Sequence, residues 1–247
     1  MTNPFIAKMS KLVDLGEAEC SALTALTARA RKYAGRRDLI REGDKPGGVL
    51  VMLEGWACRY KVLPNGTRQV MAFMMPGDAC DLHISMLAEM DHSIQTITAA
   101  RVASISGSEI EAAMERYPKI ARAMYVAQLI DEGTMRAWII SMGRRSSIER
   151  VTHLVCELYV RMREIGLNTD GSFALPLSQI LLADALGMTP VHLNRVVKEL
   201  KEAGALTLGK GRIEVLDPAK LVHIAGFDEN YLHRREHGSA SRALLAN

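Results

Sequence analysis

Aromatic residues make up only 5% of this 247-residue chain, and cysteine occurs four times. Cys20, Cys58, Cys80 and Cys156 stand far apart and form no Cys-x-x-Cys pair. That excludes the spacings of structural zinc and of iron–sulfur ligation, and four cysteines in a chain of this size do not make a disulfide scaffold. Long apolar runs are missing as well. No stretch approaches the length needed to cross a bilayer, and "MTNPFIAKMSKLVDLGEAEC" lacks the apolar core of a signal peptide. The expectation is a reduced, cytoplasmic protein that does not enter membranes. Charge of one sign is also lacking. Lys and Arg total 31 against 28 Asp and Glu, a net of +3. This permits nucleic-acid binding without demanding it, so any such argument rests on where the charges sit. Catalytic signatures are absent too. No nucleophile–base pair or metal cluster is evident, and "GDKPGG" has glycines without the strand–loop–helix order of a phosphate-binding loop. The chain is not expected to be an enzyme.

What is present is an apolar fraction of 48%, enough for proper cores, in a length that suits two domains. Gly16 to Tyr33 reads as a helix with Leu23, Leu26 and Ala30 on one face. From Arg36 onward the period changes to two. "GVLVML" is a strand; "WACRYKVL" alternates Trp56, Cys58, Tyr60 and Val62 against Ala57, Arg59 and Lys61. Asn65-Gly66 predicts a tight hairpin with positive φ values, and "RQVMAFMM" is the returning strand, its methionines core filler. A later strand pair runs through "SIQTITAARVASIS". Short strands between Gly- and Pro-bearing turns predict a small antiparallel barrel or roll.

The pattern then turns helical. Val126, Ile130, Gly133, Ala137 and Ile140 recur at steps of three and four, a stripe that predicts a dimer seam where two backbones approach closely. "GRRSS" is the candidate hinge. "SIERVTHLVCELYVRMREIG" is another amphipathic helix, with Ile148, Val151, Leu154, Val155 and Leu158 inward. Then come "FALPL", two short helices in "LSQILLADALGMTPVHLNRVVKEL", and a hairpin "ALTLGKGRIEVLD". The assignment is α+β: a β-roll over 1–118, a dimerisation helix over 119–143, a winged helix-turn-helix over 144–226 and a polar tail over 227–247.

The two short helices carry the chemistry. Ser178 is the expected N-cap of the first and Gly187 its left-handed end; Thr189 caps the second, with Pro190 at the first helical position. Round the second helix, Leu193, Val196, Val197 and Leu200 fall on one face at about 100° per residue. Val191, Arg195 and Lys198 fall on the other, flanked by His192 and Asn194. Such a turn suits a major groove: Val against a thymine methyl, Arg bidentate to guanine, Asn to adenine. His192 reads equally as a phosphate contact or as plain exposure. Lys210 and Arg212 flank Gly211 in a basic hairpin tip suited to the DNA backbone. The expectation is a homodimer reading double-stranded DNA with the helix Pro190–Lys201. The alternative is a small-molecule-binding module acting through a protein partner.

The motifs "GDKPGGVLVMLEGWACRY", "LPNGTRQVMAFMMPGD", "GRRSSIERVTHLV" and "LPLSQILLADALGMTPVHLNRVVKELKEAGAL" resemble the Crp/Fnr family of bacterial transcription regulators over roughly residues 16–226. The resemblance implies a cyclic-nucleotide-binding-like roll, a long dimer helix and a winged helix-turn-helix. It also implies palindromic sites with half-sites about one helical turn apart, and contact with RNA polymerase if the protein activates. It departs in two places. Where the family opens its recognition helix with Glu, this chain has Val191, so a cytosine contact is lost while the guanine contact of Arg195 carries over. After "PGD", Asp81 and Leu82 stand where the phosphate cassette has Gly-Glu, and His92-Ser93 stands near its Arg-Ser. Asp81 would repel a cyclic phosphate with no Arg placed to neutralise it, so neither cAMP nor cGMP is expected as effector. Asp81, His83, His92 and Ser93 are the candidate effector-pocket residues; an alternative reading makes Asp81, His83 and His92 a polar cluster titrating near neutrality. No cofactor is expected: the iron–sulfur branch needs a cysteine cluster where Cys20 stands alone, and Cys80 and His83 read as structural rather than haem-binding.

Overall fold

A computed structural model describes residues 3–82, 86–169, 171–209 and 211–233. The chain divides into two compact units between Leu129 and Ile130, inside one long helix.

The first unit opens with helix α1 (Pro4–Leu12), whose N-cap Asn3 accepts from the N–H groups of Phe5 and Ile6. Helix α2 covers Glu17–Thr27. The sequence predicts it to run on to Tyr33, but it stops at Thr27, and Arg31–Tyr33 becomes strand β1. Arg31 pairs there with Val102 of strand β8 (Ala100–Ile105), a partner some seventy residues away that local periodicity does not reveal. Two four-stranded antiparallel sheets form the roll. In one, β1 and β8 are joined by β3 (Val49–Glu54) and β6 (Ala79–Cys80), in the order β1-β8-β3-β6. In the other, β2 (Asp38–Ile40), β7 (Ser93–Thr96), β4 (Ala57–Val62) and β5 (Arg68–Met74) run in the order β2-β7-β4-β5. The expected strand pair near residue 100 is thus two strands in different sheets: β7 pairs with β2 and β4, β8 with β1 and β3.

The period of two in β3 decides both cores. Val49, Val51 and Leu53 point to one side and pack with Phe5, Met9 and Leu23 of the two N-terminal helices. The same cluster takes in Ile110 of helix α3 (Gly107–Arg116) and Ile120 and Met124 of helix α4 (Pro118–Arg144). Met52 points to the other side, into the roll, with Ala57, Met74, Cys80, Ile94 and Val102. Strand β4 does not keep its predicted alternation at this end, since Ala57, Cys58 and Arg59 are all buried. The β4–β5 turn also differs from expectation. Only Gly66 has positive φ (+82°), and its N–H donates to the Leu63 carbonyl. With Pro64 fixing a negative φ, the loop is a type I turn closed by a left-handed glycine, not the two-residue primed turn.

The second unit is built on helix α5 (Ser147–Glu164), entered through a capping box between Ser146 and Glu149. Around it lie α6 (Gln179–Leu186), α7 (Pro190–Glu202) and α8 (Pro218–Ala225). A small antiparallel sheet adds β9 (Asn168–Thr169), β10 (Ser172–Ala174), β11 (Leu206–Gly209) and β12 (Arg212–Val215), in the order β11-β12-β10-β9. Helix α5 is buried on every side along its middle: every residue from Val151 to Leu158 is covered, among them His153, Cys156 and Glu157. The expected polar tail begins as structure. Residues 229–232 form a 3-10 turn in which Leu232 is buried, and residues 234–247 lie outside the described residues.

The predicted seam on α4 needs correction. Gly133 and Ala137 are buried by their own chain, and a Cβ at Gly133 would stand 2.8 Å from the Tyr231 carbonyl oxygen. Val126 and Ile130 are half-buried, and only Ile140 of the five is exposed. The close approach that small residues allow is therefore made to Tyr231. The exposed apolar side chains of α4 include Tyr125, Leu129, Met135, Ile139 and Ile140, with Ile139 70% exposed.

Candidate DNA interface

Three local devices set α6 and α7. The Ser178 hydroxyl accepts from the Leu181 N–H at 3.2 Å, capping α6. Gly187 ends it at φ +59°, ψ +44°, the left-handed conformation that glycine adopts at least cost. Thr189 then accepts from the His192 N–H at 3.2 Å, with Pro190 at the first helical position of α7. From α5, Arg150 donates through Nη1 to the Leu186 carbonyl at 2.7 Å, so a cation holds the C-terminal end of α6.

Leu193, Val196 and Leu200 anchor α7 in the core. The opposite face presents Val191, 81% exposed, with Asn194, Arg195 and Lys198 also exposed. Lys198 lies 3.6 Å from Glu202 in a surface ion pair. His192 is half-buried and has a partner at each ring nitrogen. Its Nε2 is 2.6 Å from the Ser147 hydroxyl, and its Nδ1 is 2.5 Å from Arg195 Nη2. Arg212 starts β12 and donates through Nε and Nη2 to the Ser172 hydroxyl, at 3.1 and 2.6 Å. Ser178, Thr189, Val191, Asn194, Arg195 and Lys198 are thus exposed on α6 and α7, with Pro190 and His192 half-buried; Arg212 is exposed at the base of the hairpin. Lys210 lies outside the described residues.

Sequence reasoning missed what holds this unit on its own stretch of α4. Glu157 is fully buried and accepts from Trp138 Nε1 at 3.0 Å, Arg161 Nη1 at 3.1 Å and the Tyr231 hydroxyl at 3.1 Å. Burial pushes its carboxyl above the usual range despite the three donors, and burial beside Glu157 pushes the Tyr231 phenol up too. His153 stacks on Tyr231 at 5.9 Å and meets Phe227 edge-on. Burial, with a contribution from Arg145, brings its pKa down to about 3. The one available signal was a second stripe on α5, His153, Cys156 and Val160, at helical spacing.

In the roll, the pocket candidates Asp81 and His92 come together, whereas His83 lies outside the described residues. The expectation that no Arg neutralises Asp81 is wrong. Arg59, from β4, is buried with Nη2 3.3 Å from Asp81 Oδ1, and His92 Nε2 is 3.3 Å from Oδ2. Asp91 closes the set at 2.6 Å from His92 Nδ1. Burial opposes ionisation of Asp81, but His92 and Arg59 hold its carboxyl below the usual range. Burial likewise opposes charge on His92, and Asp81 and Asp91 outweigh it, raising the imidazole pKa. Ser93 instead accepts from the Glu42 N–H at 3.0 Å.

A roll of two antiparallel sheets, a long helix and a capped helix-turn-helix followed by a hairpin define the class of DNA-binding transcription regulators. The comparisons agree on the class. Residues 149–224 match the Crp-like helix-turn-helix domain and residues 30–117 the cyclic nucleotide-binding domain. The chain belongs to the Crp/Fnr family of transcription regulators and is not an enzyme. It is 28% identical over 215 residues to the nitrogen fixation regulation protein FixK of Bradyrhizobium diazoefficiens, covering 84% of this chain and 90% of that one. It is 26% identical over 204 residues to the transcriptional activator protein FnrL of Cereibacter sphaeroides, covering 81% and 82%. The structure of FixK2 from Bradyrhizobium japonicum shares the fold at a TM-score of 0.71 and 24% identity, covering 79% of this chain and 96% of that chain. No helix among the described residues is long and apolar enough to cross a membrane.

Proposed function

We propose that the chain acts as a homodimer on a two-fold palindromic DNA site, placing the first turns of α7 in successive major grooves. The observation that carries this is the face of α7: an exposed valine beside exposed Asn194 and Arg195, opposite the buried Leu193, Val196 and Leu200. These side chains match base edges, Arg195 to guanine, Asn194 to adenine and Val191 to a thymine methyl. Without Glu at the Val191 position, the half-site lacks the cytosine contact of other family members. Lys210 and Arg212 contact the backbone. The dimer forms along α4 through Leu129, Met135, Ile139 and Ile140, whose exposure supports a second copy better than the covered Gly133 and Ala137.

The effector is not a cyclic nucleotide, or there is none. Arg59 and His92 face Asp81 and Asp91, so that whichever protonation state His92 takes, the set offers a cyclic phosphate no net positive charge. The protein works without an iron–sulfur cluster or haem, in keeping with scattered cysteines, of which the buried Cys156 thiol is pushed up to about 12. RNA polymerase is a partner wherever the protein activates.

Binding to a duplex at increasing salt, with the mass of the complex measured in parallel, tests the reading. Two chains per duplex and a steep fall of affinity with salt are expected, because phosphate contacts release counterions. A flat salt response would favour a protein partner instead.

A further inference from the structure

Three groups in this unit form one chain of hydrogen bonds: Arg195 Nη2, the His192 imidazole and the Ser147 hydroxyl, at 2.5 and 2.6 Å. A guanidinium has donors and no acceptor, so His192 Nδ1 must carry the lone pair that receives its N–H. The neutral ring then keeps its hydrogen on Nε2 and donates it to Ser147. Ser147 is itself fixed. It is the first residue of α5, immediately after the Ser146–Glu149 capping box, where Ser146 N–H donates to Glu149 Oε2 at 2.7 Å. The imidazole is therefore pinned at one end by a rigid helix terminus and at the other holds the side chain expected to read a base. Position 192 is one step from Val191 and one helical turn from Arg195, so its ring lies at the edge of the reading face.

We infer that His192 is a positioning residue for base recognition, fixing the guanidinium of Arg195 from Ser147 so that its remaining N–H groups are aimed at a base edge. This deepens the proposed DNA reading and rests on it. An arginine held before binding by one acceptor, to which it donates a single N–H, loses less side-chain freedom when it docks, and it meets only bases placed for its fixed fork. Glutamine is the informative replacement, because its amide accepts at one end and donates at the other, as this tautomer does. Alanine keeps the helix and removes both bonds.

The experiment measures binding of the full-length protein to its selected duplex and to every single-base variant of one half-site, at two salt concentrations. Arg195→Ala first identifies the base position that Arg195 reads. His192→Ala is expected to cut discrimination at that position about five- to tenfold, leaving discrimination elsewhere and the salt slope unchanged. His192→Gln is expected to restore most of it. In the Arg195→Ala background, His192→Ala should change nothing. A uniform loss on every duplex with a shallower salt slope would make His192 a phosphate ligand and overturn the inference. Unchanged discrimination in His192→Ala would overturn it too, while leaving the reading by Arg195 intact. If Arg195→Ala itself leaves every base preference unchanged, the recognition-helix reading falls, and the positioning role with it. Thermal melting of both histidine variants separates these outcomes from unfolding.

Discussion

Replacing His153 with Leu should make the second unit more resistant to acid. The ring is 2% exposed, stacked on Tyr231 and edged by Phe227, and burial brings its pKa to about 3 from an ordinary 6.5. Above pH 6.5 the imidazole is neutral in both the folded and the unfolded chain and contributes no pH dependence. Below it the unfolded chain takes up a proton that the folded chain refuses, so stability falls as pH falls, down to about pH 3. Each unit of pH costs about 1.4 kcal/mol, so acidifying from 6.5 to 4.5 removes on the order of 2.5 kcal/mol through this residue alone. Glu157 pulls the other way. Its carboxyl is raised by burial, so the folded chain binds that proton more readily and gains relative stability as pH falls through the raised value. The comparison must therefore be between wild type and His153→Leu, in which Glu157 is common to both. Urea unfolding followed by Trp138 fluorescence in a Trp56→Phe background reports on this unit, since Trp138 donates to Glu157. The difference in unfolding free energy should move toward the variant by about 1.4 kcal/mol per pH unit between 6 and 4. Parallel curves over that range would refute a buried neutral histidine.

Further expectations concern the interface and the packing beneath it. Arg195→Ala should cost about 1–3 kcal/mol on the preferred site and relax preference at one base position, read by competition with single-base variants. Glu157→Ala strands the Trp138, Arg161 and Tyr231 donors in a buried place and should destabilise the unit by roughly 3–5 kcal/mol in the same urea assay. Ile139→Asp should lower the mass in solution from dimer to monomer without changing the melting of either unit. Gly133→Ala should leave the mass unchanged and lower stability, because its Cβ would meet the Tyr231 carbonyl at 2.8 Å. His92→Asn should remove stability that is present at low pH and is otherwise lost as pH rises through the raised imidazole pKa, seen as a flatter stability profile on the alkaline side of 6.5.

What could be read from sequence was local. Ser178, Gly187, Thr189 and Pro190 each act within four residues of themselves, and their capping roles in α6 and α7 follow from residue type alone. The places of strands β3 to β5 and the exposed face around Val191 follow from period in the same way, whereas the burial along β4 and the form of the β4–β5 turn do not. What escaped was set by partners far along the chain. Arg31–Tyr33 forms a strand because Ala100–Val102 waits for it. Asp81 looks unneutralised in its own segment, yet Arg59 reaches it from β4. The stripe through Gly133 has the small residues of a helix–helix contact, but Tyr231 takes that place. Glu157 reads as one more surface charge until Trp138 and Tyr231 are seen to bury it. The exposure of Val191 and Arg195 on one face of α7 was legible from helical period; that His192 links Arg195 to Ser147 was not, since Ser147 lies 45 residues away.

The most direct test of the central claim is selection of sites from random duplex DNA by the purified full-length protein, with no small molecule added. Enrichment of a two-fold palindrome whose half-site loses one preferred position in Arg195→Ala is the predicted result. Enrichment of no sequence, or of one that is the same for wild type and Arg195→Ala, would contradict the reading of DNA by α7.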